Sequence, residues 1–193
     1  MKKLVATDLL DLTGYEKIRE QFVQRTIELK RARRVGVGNE LTFVFENRDT
    51  ILFQVQEMLR AERTVKDEAI QYDLDVYNEL MPGEHELSAT LMIEITDPER
   101  IKPTLDRLAG IDEHVFLDVG GTPVAAAFDP RQYDEDRIAA VQYLRFPLGP
   151  ELSARFRDES TPATLRVAHP AYGAQTPLTG PTRASLTSDL TAT

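Results

Sequence analysis

A dense run of polar side chains between Glu46 and Arg63 contains the residues best suited to chemistry. Its carboxylate, amide and guanidinium groups could bind a small anion, hold a charged segment of a partner protein, or transfer protons. Residues 50–63 fit one helix, with Asn47 and Asp49 as candidate caps. The candidate residues for ligand or partner binding are Glu46, Arg48, Asp49, Gln54, Glu57, Arg60 and Glu62.

A helical projection of residues 50–63 places an acid, Glu62, inside an apolar stripe that contains Leu52, Val55, Met58 and Leu59. A buried carboxylate needs a partner, so we expect Glu62 to be paired. In one interpretation the helix is simply exposed, with ion pairs such as Glu57 with Arg60 and with Glu62 in water at a frayed end. In the other, the turn 46–49, the helix N-terminus and the polar side chains frame a pocket for a small anionic ligand or a partner's charged segment.

Residues 46–50 and 53–63 resemble the signature of a bacterial family of unknown function, catalogued as domain of unknown function 3501. Residues 87–95, 110–117 and 140–148 resemble later segments of that family, so the likeness spans about residues 3–170. The resemblance implies no established activity and assigns no catalytic residue. It does imply a context, because genes of this family tend to lie beside rubrerythrin-like and iron–sulfur oxidoreductase genes. A rubrerythrin-like or iron–sulfur oxidoreductase partner and an accessory role in redox or peroxide metabolism are therefore expected.

These observations together favour an accessory, non-catalytic protein that binds a partner oxidoreductase or a small anionic ligand through residues 46–63. An alternative is a small-molecule enzyme with Glu57 or Glu62 as the acid–base group. Arg48 or Arg60 would then hold an anionic substrate. A third possibility is a metal-binding accessory protein, which requires a histidine close to several carboxylates.

Neither the histidines nor the main cationic run forms a recognisable cofactor motif. His85, His114 and His169 lack the helical His-x-x-x-His and Glu-x-x-His spacings, so we predict no metal site. The cations of residues 30–34 precede Gly36 and Gly38, whereas a phosphate loop has its glycines before a helix. This run is more typical of the last turn of a helix, and we expect no cofactor.

The overall composition excludes several classes of partner. The chain has 193 residues, with 23 Lys+Arg against 32 Asp+Glu and a net charge of -9, so a cationic surface for nucleic acid or anionic lipid is not expected. It has no cysteine, which excludes disulfides and thiolate chemistry and suits a reducing compartment. Acids interrupt the basic start of the chain, and no run of about 18 apolar residues occurs, so we predict no membrane insertion and a cytoplasmic location.

The elements that must position the polar run can be predicted from proline and from hydrophobic periodicity. All 11 prolines lie at Pro82 or later, which favours helices before that point. The predicted helices are 13–34, 50–63, 67–81 and 98–108, with a short one from Pro150. The predicted strands are 41–46, 87–95, 114–119, 124–128, 139–146 and 164–168.

This order of elements predicts an α+β fold. A helical N-terminal part, with about three helices and one short strand, should pack on a mainly antiparallel sheet of about five to six strands. Residues 1–170 are expected to form a single α+β domain. The Ser/Thr-rich residues 171–193 offer little to bury and are expected to be a mobile or loosely docked tail.

Overall fold

The structure, a computed structural model, describes residues 1–130, 133–134 and 137–191. The α-helices in these ranges are α1 (Leu12–Arg31), α2 (Arg48–Glu62), α3 (Asp67–Asn78), α4 (Pro98–Arg107), α5 (Gly149–Arg157) and α6 (Gly180–Asp189). The strands are β1 (Arg34–Val37), β2 (Leu41–Glu46), β3 (Glu86–Ile93), β4 (Val115–Val119), β5 (Thr122–Ala125), β6 (Ala127–Phe128), β7 (Tyr133–Asp134), β8 (Arg137–Ile138), β9 (Val141–Pro147), β10 (Ala163–His169) and β11 (Tyr172–Pro177). Of the helices described, none combines the length and the apolar character needed to cross a membrane.

The strands form two main antiparallel sheets, which confirms the α+β class. The first sheet has the order β1-β2-β3-β9-β6 and the second has the order β11-β10-β4-β5, while β7 and β8 pair separately. We predicted one strand over residues 124–128, but the chain changes sheets at Ala126, so that β5 and β6 belong to different sheets. Hydrophobic alternation predicts a strand but not the strand with which it pairs, so the sequence did not indicate that β5 and β6 belong to different sheets.

The two faces of the five-stranded sheet have opposite character. One face, with Phe43, Phe45 and Phe146, packs with residues of the second sheet such as Leu117 and Leu165 in the main apolar core. The opposite face carries buried polar residues: Thr42, Glu46, Ser88 and Thr90. A second apolar cluster, with Ile51, Val55, Leu59 and Leu74, joins α2 to α3 on that side. The site described below lies on this polar face.

Side-chain caps fix where the first two helices begin. Asp11 caps α1 by accepting a hydrogen bond from the N–H of Gly14 at 2.6 Å. Asn47 caps α2, as predicted, by accepting the N–H of Thr50 at 3.0 Å, while the Thr50 hydroxyl accepts the N–H of Asn47 at 2.9 Å. This reciprocal capping places α2 directly after the last residue of β2, Glu46.

Residues 172–177 and 180–189 form regular structure, which differs from the expected mobile or loosely docked tail over residues 171–193, of which 192–193 lie outside the described residues. Strand β11 pairs with β10 along its length, and α6 buries Arg183, Leu186 and Asp189. The sparse charges of this segment suggested little to bury, yet Arg183 and Asp189 are themselves buried. Their partners lie far away in the chain, so no local pattern could reveal them.

Candidate functional site

A cavity of about 560 Å³ lies between the polar face of the five-stranded sheet and the chain that follows α3. Three neighbouring strands present polar side chains to it. Glu46 of β2 lies opposite Ser88 of β3, and Ser88 lies opposite Arg145 of β9. One step further along the same face, Thr90 lies opposite Tyr143. This cavity has a size typical of small-molecule sites.

Glu46 is the most deeply buried acid in the cavity wall, with 3% of its surface exposed. Its Oε2 accepts a hydrogen bond from the hydroxyl of Thr50 at 2.5 Å. Its Oε1 accepts hydrogen bonds from the hydroxyl of Thr90 at 2.7 Å and from the amide of Gln54 at 3.1 Å. These donors come from α2 and β3, so the carboxylate joins the helix to the sheet, and all three of them are uncharged.

Tyr143 adds a protonated hydroxyl near this carboxylate, and Tyr77 lies close to Tyr143. Burial raises the pKa of Tyr143 above its ordinary value, and the charge of Glu46 raises it further. Burial is also the main cause that raises the pKa of Tyr77, to which the charge of Tyr143 contributes. Both phenols therefore keep their protons at neutral pH, and Tyr143 lines the cavity.

The guanidinium of Arg145 at the cavity wall is already bound within the chain. It donates to the carboxylate of Glu86 and to the backbone carbonyl of Glu79, and at 3.2 Å to the carbonyl of Met81. Lys3, a second basic residue of the wall, is exposed. The arrangement gives the cavity a buried acid at one side and a compensated cation at another.

The predicted residues of the 46–63 segment separate into two groups. Glu46 and Gln54 meet each other on the side of α2 that faces the sheet. Arg48 instead pairs with Asp8 at 2.6 Å, and Asp49 is exposed, with its carboxylate 4.0 Å from Arg25. Hydrogen bonding from the Val5 N–H, followed by that from Arg48, lowers the pKa of Asp8. Arg48 therefore attaches the start of the chain to α2.

The later predicted residues of the segment lie on the side of α2 that faces α1. Glu57 accepts hydrogen bonds from the hydroxyl of Tyr15 at 2.7 Å and from Arg19 at 2.7 and 2.9 Å. The Arg19 hydrogen bonds are the largest cause that lowers the pKa of Glu57. Arg60 pairs with Glu16 of α1 at 2.8 Å. These groups connect two helices, and they do not meet Glu46.

We predicted that Glu62 is a paired acid inside an apolar stripe, but it is exposed at the end of α2. The apolar contacts of the helix end with Leu59. The next residue after Glu62, Arg63, adopts a left-handed conformation with φ of 54°, which turns the chain away. A projection assumes that apolar neighbours extend along the whole helix, and here they end before Glu62, the last residue of α2.

Sequence reasoning missed Ser88, Thr90 and Tyr143 as residues of the site. A signal was present, because Ser88 and Thr90 alternate with the apolar residues Leu87, Ala89 and Leu91 of their strand. Such alternation marks the less apolar face of a strand. The histidines are elsewhere: the rings of His114 and His169 lie 5.2 Å apart. Across residues 1–130, 133–134 and 137–191, no group of three or more potential metal ligands occurs.

Comparison with known proteins gives a consistent result. The family model described as "Protein of unknown function (DUF3501)" matches residues 3–190. The crystal structure of a novel protein of unknown function from Burkholderia pseudomallei K96243, at 1.90 Å resolution, has a TM-score of 0.92 to this chain. The two sequences are 35% identical, and the match covers 98% of this chain and 100% of that one. No curated protein matches the chain.

Proposed function

We propose a function from one premise, that the chain belongs to the DUF3501 family of proteins of unknown function. The function is the binding of a small polar molecule in the cavity beside Glu46, without catalysis. The observation that carries it is a nearly fully buried carboxylate in the cavity wall, whose described partners are neutral. The proposal moves the predicted site from the whole 46–63 segment to its first residue and to the neighbouring strands.

The energetics of Glu46 support a binding role. Removing a carboxylate from water costs several kcal/mol, of order 20 kcal/mol in the idealised limit, and neutral hydrogen bonds offset only part of that cost. A carboxylate offers about four acceptor positions, of which Thr50, Gln54 and Thr90 occupy three. The remaining position suits a donor on a ligand.

The remaining polar residues of the segment support the same assignment. Glu57 and Arg60, considered above for acid–base chemistry and anion binding, are bound to Arg19 and Glu16 of α1. A lowered pKa keeps Glu57 ionised at neutral pH and makes it a poor general acid. This side of α2 therefore serves helix packing, and the sheet side serves binding.

An accessory, redox-associated role in the bacterial cytoplasm is the wider part of the proposal. It is supported by the family resemblance, which implies a rubrerythrin-like or iron–sulfur oxidoreductase partner, and by the absence of cysteine, which suits a reducing compartment. In this proposal the small molecule is the ligand of the cavity, and the oxidoreductase is a separate partner.

Native mass spectrometry of protein purified gently from its own source cells tests this proposal. We expect wild-type protein to carry an additional small mass, which the Glu46→Gln variant loses and the Asp49→Asn control retains. An additional mass of protein size would support the oxidoreductase partner. Wild-type protein found only at its chain mass would contradict ligand binding.

A further inference from the structure

We infer that the ligand of the cavity is a small organic cation, a primary amine or a guanidinium compound, that donates an N–H to Glu46. The inference rests on the proposed function and specifies its ligand class. It departs from the anionic ligand expected from the sequence, because the structure separates the arginines of the 46–63 segment from the cavity and leaves Glu46 there.

The first argument is the charge balance around Glu46. The hydrogen-bond donors of its carboxylate are two hydroxyls and an amide, and the guanidinium of Arg33, which donates to the Glu46 backbone carbonyl, is paired with Asp189. Arg145 lies two strands away from Glu46 on the same face of the sheet, and it is bound to Glu86 and to two backbone carbonyls. A buried anion without a counter-charge is stabilised strongly by a cationic hydrogen-bond donor. The ligand supplies a positive charge that the described hydrogen-bond partners of the Glu46 carboxylate lack.

The second argument is that the same wall disfavours an anion. A ligand carboxylate or phosphate in the cavity would face the Glu46 carboxylate at low dielectric, where like charges repel strongly. Among the described residues of the wall, Arg145 could become its partner only by leaving Glu86 without a cation. Lys3 is exposed and compensates such a group only weakly.

The third argument concerns the shape of the ligand. Tyr143, Leu80, Met81 and Pro82 add apolar and aromatic surface to the cavity wall. These side chains suit the carbon body of an alkylamine or arylamine, and aromatic faces also attract cations. A charged head at Glu46 and an apolar body along these residues together describe an organic amine rather than a metal ion.

Three probes of equal size and different charge test the inference: n-butylammonium, n-butanol and n-butyrate. Each is added at millimolar concentrations to isotope-labelled wild-type protein, and backbone amide shifts are followed by NMR. We expect butylammonium to shift the amides of the cavity residues Ser88 and Tyr143, with butanol weaker and butyrate without effect. In Glu46→Gln the butylammonium affinity should fall about tenfold to a hundredfold, as for loss of a charge-assisted hydrogen bond, whereas Asp49→Asn should leave it unchanged.

Each other outcome overturns the inference. Butyrate or butanol binding at the cavity as tightly as butylammonium would exclude a cation-selective site, and so would equal butylammonium affinity in wild type and Glu46→Gln. No shift with butylammonium would exclude it as well. If Glu46→Gln does not fold, the comparison of the three probes on wild-type protein still tests whether the cavity selects a cation. A retained neutral or acidic small molecule in the native mass spectrum would refute the ligand class while the proposed function stands.

Discussion

Replacement of Asp189 by Asn probes how the C-terminal helix is held to the five-stranded sheet. The partner of Asp189 is Arg33, whose side chain is fully buried, and the aspartate side chain is 4% exposed. The same guanidinium donates to the carbonyl of Phe45 at 2.7 Å, to the carbonyl of Glu46 at 3.0 Å and to the hydroxyl of Ser185 at 2.9 Å. One arginine therefore joins α6 to the strand end that carries the candidate site.

The loss of stability expected for Asp189→Asn follows from the buried Arg33 charge that it leaves without a partner. Burial raises the pKa of Asp189 by more than Arg33 lowers it, so desolvation outweighs the attraction within the intact pair. Removing one charge leaves the other buried and uncompensated, which costs about 3–5 kcal/mol. That is a large part of a total stability of about 5–15 kcal/mol. At about 2–4 °C per kcal/mol, the melting temperature should fall by roughly 6–20 °C.

Urea unfolding followed by circular dichroism at neutral pH measures this loss. Asp49→Asn is the matched control, because Asp49 is exposed and 4.0 Å from its arginine, and it should change stability by less than about 0.5 kcal/mol. The double variant Arg33→Met with Asp189→Asn should cost less than the sum of the single changes, since no charge stays buried. A cost below about 1 kcal/mol for Asp189→Asn, or strict additivity, would refute the reasoning.

Three further predictions concern stability. Arg19 holds the pKa of Glu57 below its ordinary value of about 4.3, so the pair stabilises the fold above that pH, and this contribution is lost as the pH falls through the lower folded pKa. Glu57→Gln should therefore destabilise the protein more at pH 7 than at pH 3 in urea unfolding. An equal loss of stability at both pH values would contradict this prediction. Gly38→Ala should cost more than about 1 kcal/mol in thermal unfolding, because φ is +69° and a β-carbon would overlap the Tyr172 hydroxyl; an unchanged melting temperature would show that the turn adapts. Arg183→Met should cost about 2–4 kcal/mol, at about 1 kcal/mol for each of three hydrogen bonds to carbonyls, and a neutral effect would refute the role of this arginine in holding α6.

The parts of the fold that depend on local chemistry could be predicted from the sequence. The cap at Asn47 was predicted because its side chain bonds residues only three positions away. The strand at 87–95 was predicted because alternation needs no knowledge of the partner strand, and it is observed as β3 (Glu86–Ile93). Local signals of this kind were sufficient for the α+β class.

Features that depend on distant partners could not be predicted. Arg33 was taken as part of a cationic helix end, but it is buried and bonds to Asp189, 156 residues later in the chain. The same distance hid the role of α6. Glu46 was included among seven candidates, yet only the register of three strands shows that it lies beside Ser88 and near Tyr143. Sequence patterns predict which face of a helix or strand is apolar, whereas the contacts between those faces depend on the tertiary packing.

The central claim is that a small molecule binds at Glu46. A crystal structure of protein purified gently from its own source cells tests it most directly. The account predicts density for a non-protein molecule in the cavity, with a nitrogen or oxygen donor within about 3.2 Å of a Glu46 carboxylate oxygen. Density for water alone in that cavity would contradict it, if the mass spectrum of the same protein shows a retained ligand.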